Sequence, residues 1–186
     1  MSTRTWDGLS IPTPGTYVID TSHTTVGFVV KHMMVSKVRG SFDKFSGSVT
    51  IAENPLESSA TLTIDAASIN TKSSDRDGHL RSDDFLSTET FPELTFRSTR
   101  VAGHSGNDFT LVGDLTVHGV TKEIELTVEY NGAGVNPWGQ PVWGFSIATE
   151  IDREEFGLTW NAALETGGVL VGKKIKIEIE GEANPA

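Results

Sequence analysis

The sequence predicts an all-β protein whose strands form an antiparallel barrel or a sandwich. Apolar and polar residues alternate with a period of two over most of the 186-residue chain, and only one segment has helical character. Alternation of this kind is typical of antiparallel sheets that have one face in water. No repeat or low-complexity segment interrupts the pattern. The chain therefore divides into an N-terminal arm, residues 1–14, and one β domain, residues 15–184.

The composition excludes several functions. The chain has no cysteine, which rules out disulfides, thiolate nucleophiles and cysteine zinc sites. Its formal net charge of −10 argues against nucleic-acid binding and against adsorption to anionic lipid heads, although a local basic patch could override this average. We find no secretory signal and no apolar run long enough to span a membrane. The sequence therefore predicts a soluble, cytoplasmic protein without stable membrane insertion.

The first half of the chain contains the less regular strands. Val26, Phe28, Val30 and His32 share one face of a predicted strand. Further apolar stripes follow the same period of two, at Phe45–Gly47–Val49–Ile51, Ala60–Leu62–Ile64 and Leu94–Phe96. Each stripe is expected to face the interior of the sheet system.

The second half alternates more strictly. Its apolar positions are Phe109, Leu111, Leu115, Val117, Ile124, Leu126, Val128, Tyr130, Phe145, Ile147, Ile151, Val169, Val171, Ile175, Ile177 and Ile179. Glutamates and lysines occupy the positions between many of them, so one face must meet water. Seven to nine strands are expected in total.

A short helical segment is predicted near residues 75–86, within "SINTKSSDRDGHLRSDDFL" (68–86). Ser74 and Asp77 have the spacing of a capping box, and Asp77 and Arg81 have that of an ion pair along a helix. Leu80 and Phe85 would anchor the segment onto the sheet. The charges thus fit a capped helix that closes an opening in a barrel.

No catalytic or metal motif is found. The five histidines, at 23, 32, 79, 104 and 118, do not have the spacing of a known metal site, so no metal and no cofactor are expected. His32 ends an apolar stripe and is interpreted as a hydrogen-bonded residue that closes one end of the core. In the long loop "NGAGVNPWGQPVWG" (131–144), Trp138 and Trp143 fit either a pocket rim or a barrel plug.

Several long stretches resemble the YceI-like proteins, lipocalin-like binders of polyisoprenoids and related lipids. The resemblance extends from about Gly15 to Ala183 and rests on segments 15–47, 68–86, 91–98, 113–126 and 144–161. The pattern R-D-x-H-L-x-S-x-x-F of that family is matched by "RDGHLRSDDF" (76–85). Within segment 15–47, Thr24 departs from the family pattern, since a serine is usual at this position. Many members carry a secretion signal that this chain lacks, so periplasmic roles are not carried over.

The resemblance implies an eight-stranded antiparallel lipocalin-like barrel that holds a long apolar tail in its lumen. The expected partner is a long-chain isoprenoid, an isoprenoid quinone or a related lipid, held for sequestration or transport, and the resemblance is compatible with a homodimer. The predicted ligand-binding residues are Phe28, Val30, His32, Phe42, Leu62, Ile64, Arg76, His79, Leu80, Phe85, Phe96, Leu115, Phe145, Ile147 and Trp160.

Charged residues at the barrel mouth are candidates for contact with a pyrophosphate or quinone head. These are His32, Arg76, His79 and Arg153, although Arg153 also fits a structural ion pair with an aspartate or glutamate. No catalytic residue is predicted. Two alternatives stay open: a small enzyme that acts on the lipid head through His32 and His79, and a filled barrel that acts only through its surface.

Overall fold

A computed structural model describes residues 3–186 and consists almost entirely of β-strands. The strands are β1 (Thr3–Trp6), β2 (Leu9–Pro12), β3 (Gly15–Ile19), β4 (Thr25–His32), β5 (Ser36–Phe42), β6 (Phe45–Ile51), β7 (Ser59–Asp65), β8 (Ile69–Asn70), β9 (Glu93–Ser105), β10 (Asp108–Val117), β11 (Val120–Val135), β12 (Pro141–Asp152) and β13 (Val171–Pro185). The helices are α1 (Ser74–Arg81) and three 3₁₀ turns, Pro55–Glu57, Ala66–Ser68 and Arg153–Phe156.

The sheet closes into the predicted eight-stranded antiparallel barrel. Three of its eight positions are strands interrupted by a short break, β3 with β4, β5 with β6 and β7 with β8, and β9 to β13 fill the other five. β13 closes the ring, because one of its edges pairs with β12 and the other pairs with both β3 and β4. Each of the eight positions therefore pairs with a neighbour on both sides.

Alternation along each strand directs the apolar side chains into the lumen. Nearly all the stripes predicted from the sequence face this way, from Val26, Phe28 and Val30 on β4 to Ile175, Ile177 and Ile179 on β13. The intervening positions carry lysines and glutamates that are exposed or half-buried. A one-residue slip would exchange the two sets, so the apolar pattern specifies the register.

The barrel has two differently closed ends. The hairpin end is formed by β1–β2 and by the turns at residues 52–58, 106–107 and 136–140. The helix end is formed by α1 and by the segments at residues 33–35, 71–92, 118–119 and 153–170. These assignments follow from the antiparallel order of the strands.

The segment predicted as an N-terminal arm contains a two-stranded hairpin, β1–β2, that packs on the hairpin end. Arg4 donates from Nη2 to the carbonyl of Ala52 at 2.6 Å, and the Tyr130 hydroxyl donates to the carbonyl of Ser10 at 2.8 Å. Trp6 stacks on Phe109, with ring centroids 6.2 Å apart. The short strands of this hairpin thus cover one mouth of the barrel.

The N-cap of helix α1, at the helix end of the barrel, lies one residue earlier than predicted. Ser73, not Ser74, is the N-cap of α1, and its hydroxyl accepts from the backbone N–H of Arg76. Asp77 is buried and does not pair with Arg81, because its carboxylate accepts from the N–H and the hydroxyl of Thr71 at 2.8 and 2.6 Å. Arg81 instead donates to the carbonyls of Ala67 and Ile69. The charges of this segment therefore fasten the chain before the helix.

Candidate functional site

The lumen contains a cavity of about 340 Å³ that extends between the two closed ends. Its walls are almost wholly apolar, with valine, leucine, isoleucine and phenylalanine from all eight barrel positions. Ile11, Pro12 and Pro55 line it near the hairpin end, and Leu80, Leu86 and Leu158 line it near the helix end. Side chains do not fill the lumen, so the filled-barrel alternative has no support in the structure. Such a cavity suits a ligand with few hydrogen-bonding groups.

Most of the residues predicted to bind a ligand lie on this cavity. Those that line it are Phe28, Val30, Phe42, Leu62, Ile64, Leu80, Phe85, Phe96, Leu115, Phe145 and Ile147. All but Leu80 and Phe85 come from strands, and these two come from α1 and the turn after it. The predicted anchoring of the helical segment by these two side chains agrees with their position over the lumen.

Four predicted residues, His32, Arg76, His79 and Trp160, are not among those that line the cavity. His32 is half-buried at the end of β4, and its carbonyl accepts from the N–H of Val35. Arg76 donates from Nε to the Thr71 hydroxyl and from Nη2 to the Thr71 carbonyl, both at 2.8 Å. These contacts hold the chain before the helix and occupy the guanidinium.

His79 and Trp160, which do not line the cavity, form an aromatic cluster with Phe85, which does. The His79 ring lies edge-on to Phe85 and Trp160, with centroid distances of 5.1 and 4.7 Å. Nε2 of His79 is 2.8 Å from a carboxylate oxygen of Asp84. His79 therefore joins α1 to the loop that carries Trp160. In this role it helps to hold α1 at the helix end of the barrel.

Arg153 lines the cavity and is 2% exposed, but its donors are engaged by backbone. Its Nη1, Nε and Nη2 donate to the carbonyls of Leu158, Gly172 and Val171 at 2.6, 2.9 and 3.4 Å. Burial lowers the pKa of the guanidinium, while the charges of Glu154 and Asp152 act in the opposite direction. These contacts fit a structural role for Arg153, but its hydrogen-bond partners are carbonyls and not an aspartate or glutamate.

Trp143 gives the hairpin end of the cavity an unusual polar atom. The side chain is 7% exposed and lines the cavity, and the indole Nε1 is buried without a hydrogen-bond partner within residues 3–186. Tyr17, Tyr130 and Phe145 surround the ring at centroid distances of 6.0, 6.2 and 5.6 Å. Buried donors are normally paired, so this N–H is an exception, and an acceptor in the lumen would reach it only after a shift of the side chains that bury it.

The two tryptophans of the loop at residues 131–144 have separate positions. Trp143 belongs to the cavity wall, whereas Trp138 is 80% exposed at the tip of the turn between β11 and β12. The composition of the loop does not distinguish the two tryptophans, because both lie among glycines and prolines. Only Trp143 continues the alternating pattern of β12, with Phe145 and Ile147, and this spacing is the signal that distinguishes it.

Three side chains outside the cavity come close enough for a metal ion, and sequence spacing did not identify them. Ligand atoms of Asp20 and His23, in the break between β3 and β4, and of Glu182, on β13, lie within 4.8 Å of one another. Internal hydrogen bonds already occupy Asp20, which accepts from the N–H and hydroxyl of Ser22, from His23 and from Asn184. The group therefore acts as a clasp for this turn.

Protonation equilibria in this clasp reflect the same contacts. Hydrogen bonds from Ser22 and then His23 lower the pKa of Asp20 well below its ordinary range. The hydrogen bond to Asp20, together with the charges of Asp20 and Glu182, raises the pKa of His23. The charged pair is thus favoured in the folded protein.

The family model of the YceI-like domain matches residues 17–183. A UPF0312 protein of Staphylococcus aureus (strain bovine RF122 / ET3-1) is 43% identical over 168 residues, which cover 89% of this chain and 95% of that protein. No helix within residues 3–186 has the length and apolar character needed to cross a membrane.

Solved structures share the barrel. A Campylobacter jejuni YceI protein is 31% identical, with a TM-score of 0.71, over 84% of this chain and 90% of its own. A polyisoprenoid binding domain from Saccharophagus degradans is 18% identical, with a TM-score of 0.65, over 94% of this chain and 100% of its own, and at that identity the likeness concerns the fold.

Proposed function

Because this chain belongs to the YceI-like family, we propose that it binds one long apolar lipid in the lumen of its barrel. The observation that carries the proposal is the apolar cavity of about 340 Å³ between the hairpin end and the helix end. Each methylene group that leaves water for such a wall contributes about 0.8 kcal/mol. An extended hydrocarbon tail is therefore the ligand that this lining favours.

The proposed ligand class is a polyisoprenoid or an isoprenoid quinone, held for sequestration or transport. The resemblance of the motifs supports this class, and a polyisoprenoid binding domain with the same fold is compatible with it. The ten-residue strand β10 extends over roughly 33 Å at about 3.3 Å per residue, which is long enough to sheath several isoprene units. The apolar wall discriminates among such tails by only about 1–3 kcal/mol per group.

We infer that the ligand carries an uncharged head with an acceptor oxygen, directed to the hairpin end. Trp143 supplies an unpaired N–H there, whereas the Arg153 guanidinium near the helix end already donates to three carbonyls. Three of the five N–H groups of Arg153 are thus already used, so a pyrophosphate inside the lumen would have only the remaining two to bind and would be costly to bury. A quinone or amide carbonyl would satisfy the indole.

We propose no catalytic step. His32 and His79, the pair on which an enzymatic role would depend, do not line the cavity. His79 contacts Asp84, Phe85 and Trp160. These positions favour binding over turnover.

The test is organic extraction of the purified protein followed by mass spectrometry, and then titration of the delipidated protein with a short-chain menaquinone and with squalene. A co-purifying isoprenoid, together with saturable one-to-one binding, is the expected result. Absence of both a co-purifying lipid and any binding would overturn the proposal. A variant with both His32 and His79 changed to alanine should retain affinity.

A further inference from the structure

The turn between β4 and β5 carries an exposed apolar tip, Met33–Val35, at the helix end. Met33, Met34 and Val35 are 44%, 61% and 85% exposed. Elsewhere in residues 3–186 the large hydrophobic side chains of comparable exposure are Val18, Val135 and Trp138, which lie at the opposite end or on β3. Three adjacent exposed apolar residues at one barrel mouth call for a function.

The backbone of this tip is unfavourable for the residues it holds. The N–H of Val35 donates to the carbonyl of His32 at 3.2 Å, which closes a β-turn, His32–Val35, within the three-residue connection between β4 and β5. Met33 and Met34, its central residues, have φ angles of +50° and +64°, so both are left-handed. Asn-Gly is the preferred pair for such a turn, because a long side chain is disfavoured there. Two methionines are thus kept where a polar pair would fold more easily.

Lysines flank the tip, whereas the molecule as a whole is acidic. Lys31 and Lys37 are exposed and face each other directly across β4 and β5, although like charges in that relation repel. Neither forms an ion pair within residues 3–186. The formal net charge of the chain is −10, so this basic pair is a local exception.

Neighbouring charges of both signs complete the surroundings. Lys173 and Lys174 on β13 pair with Glu154 and Asp152 at 3.0 and 3.7 Å. Glu165 lies in the adjacent loop and is exposed. Of these four lysines, Lys31 and Lys37 are thus the two that have no ion pair among the described residues.

The tip lies beside the mouth of the cavity. The N–H of Met33 donates to the carbonyl of Leu170 at 2.8 Å, and the Met34 side chain packs over Gly168. The next residue after Leu170, Val171, lines the cavity, as do Phe28 and Val30 on β4. A surface that engages the tip is therefore placed against the helix end.

We propose that Met33–Val35 docks the helix end reversibly onto an anionic lipid bilayer, from which the lumen ligand is taken up or to which it is returned. This inference rests on the proposed lipid-binding function. Apolar side chains that enter the headgroup boundary, with lysines placed to meet anionic heads, form a peripheral membrane contact. A symmetric contact with a second copy fits less well, since it would oppose Lys31 and Lys37 to their own copies.

The test is co-sedimentation with vesicles of phosphatidylcholine, prepared with and without phosphatidylglycerol. The wild-type chain should bind only the anionic vesicles, and binding should weaken as salt is added. A Met33→Asn/Met34→Gly variant retains the turn chemistry, and a Lys31→Glu/Lys37→Glu variant reverses the charge. Each should lower the vesicle affinity by about tenfold or more. The matched control is Trp138→Ser at the hairpin end, which should bind as the wild type does.

Equal binding by wild type and the two tip variants would overturn the proposal, as would loss of binding only in Trp138→Ser. A change of oligomeric state in Met33→Asn/Met34→Gly would identify a second copy as the occupant and would also overturn it. Menaquinone titration without vesicles distinguishes failure of the membrane docking from failure of the proposed lumen binding. If lumen binding persists while vesicle binding is absent, docking alone fails; if lumen binding is absent, the proposed function fails.

Discussion

Phe28 and Gly40 face each other directly across β4 and β5, and the Phe28 ring occupies the space where a side chain at position 40 would begin. Phe28 also lines the cavity and lies 5.8 Å from the Phe42 ring, centroid to centroid. The glycine thus determines how far this aromatic side chain lies from the ligand space.

Gly40→Val should therefore destabilise the protein and narrow the cavity. The added carbons would overlap the Phe28 ring and force it toward the lumen, and overpacking of this kind costs about 1–3 kcal/mol. Urea denaturation measures the loss, and menaquinone titration measures the effect on binding. Gly134→Val is the matched control, because a Cβ at Gly134 meets nothing within 4 Å. Equal stability of the two variants would contradict the packing argument.

Phe28→Asp should abolish retention of lipid and lower stability, because an unpaired carboxylate would lie in an apolar lumen. Mass spectrometry of the extracted lipid and the melting temperature give the two readouts. The same substitution at Val18, which is 42% exposed on β3, should have little effect on either. Unchanged lipid content in Phe28→Asp would show that this face does not contact the ligand.

Arg153→Met should lower the free energy of unfolding by roughly 2–4 kcal/mol, since the half-buried carbonyls of Leu158 and Gly172 lose a donor, while that of Val171 keeps its bond from Asn161. Chemical denaturation is the measurement, and hydrogen exchange should show faster exchange in residues 157–172. Arg39→Gln serves as the comparison. Its ion pair with Glu178 is exposed, so a loss below about 1 kcal/mol is expected. A similar loss in both variants would argue against the structural role of Arg153.

The Asp20–His23 pair predicts a pH-dependent contribution to stability. The raised pKa of His23 gives a contribution that is complete below pH 6.5 and is lost as the pH rises through the folded value. The lowered pKa of Asp20 gives one that is present above pH 3.8 and is lost on further acidification. His23→Gln should thus lower the melting temperature most between these two pH values and least at alkaline pH, above the raised pKa of His23. A difference that grows with pH would contradict this assignment.

Trp143→Phe should weaken binding of menaquinone by about three- to tenfold, the equivalent of one lost hydrogen bond. Binding of squalene, which has no acceptor oxygen, should change little beyond the effect of the smaller ring. Calorimetric titration with both ligands provides the comparison. Equal losses for the two would place the head elsewhere in the lumen.

The strand faces could be predicted from the sequence because alternation is a local property. Val26, Phe28 and Val30 face the lumen since residues two apart share a face whatever pairs beside them. The helical segment was also recognisable, but its cap lies at Ser73 because the choice between adjacent serines depends on where the preceding strand β8 ends. Neither the hairpin β1–β2 nor the clasp at Asp20 had a comparable local signal.

Sequence alone thus determined the all-β class, the apolar faces and, through family resemblance, the closed barrel. Only the tertiary structure decided which polar groups are already satisfied. Arg153 and Arg76 are occupied by backbone and hydroxyl oxygens, while the Trp143 indole is left unpaired. Hydrogen bonds between distant segments depend on closure of the sheet and on the cavity left inside it, and periodicity along one strand carries no information about either.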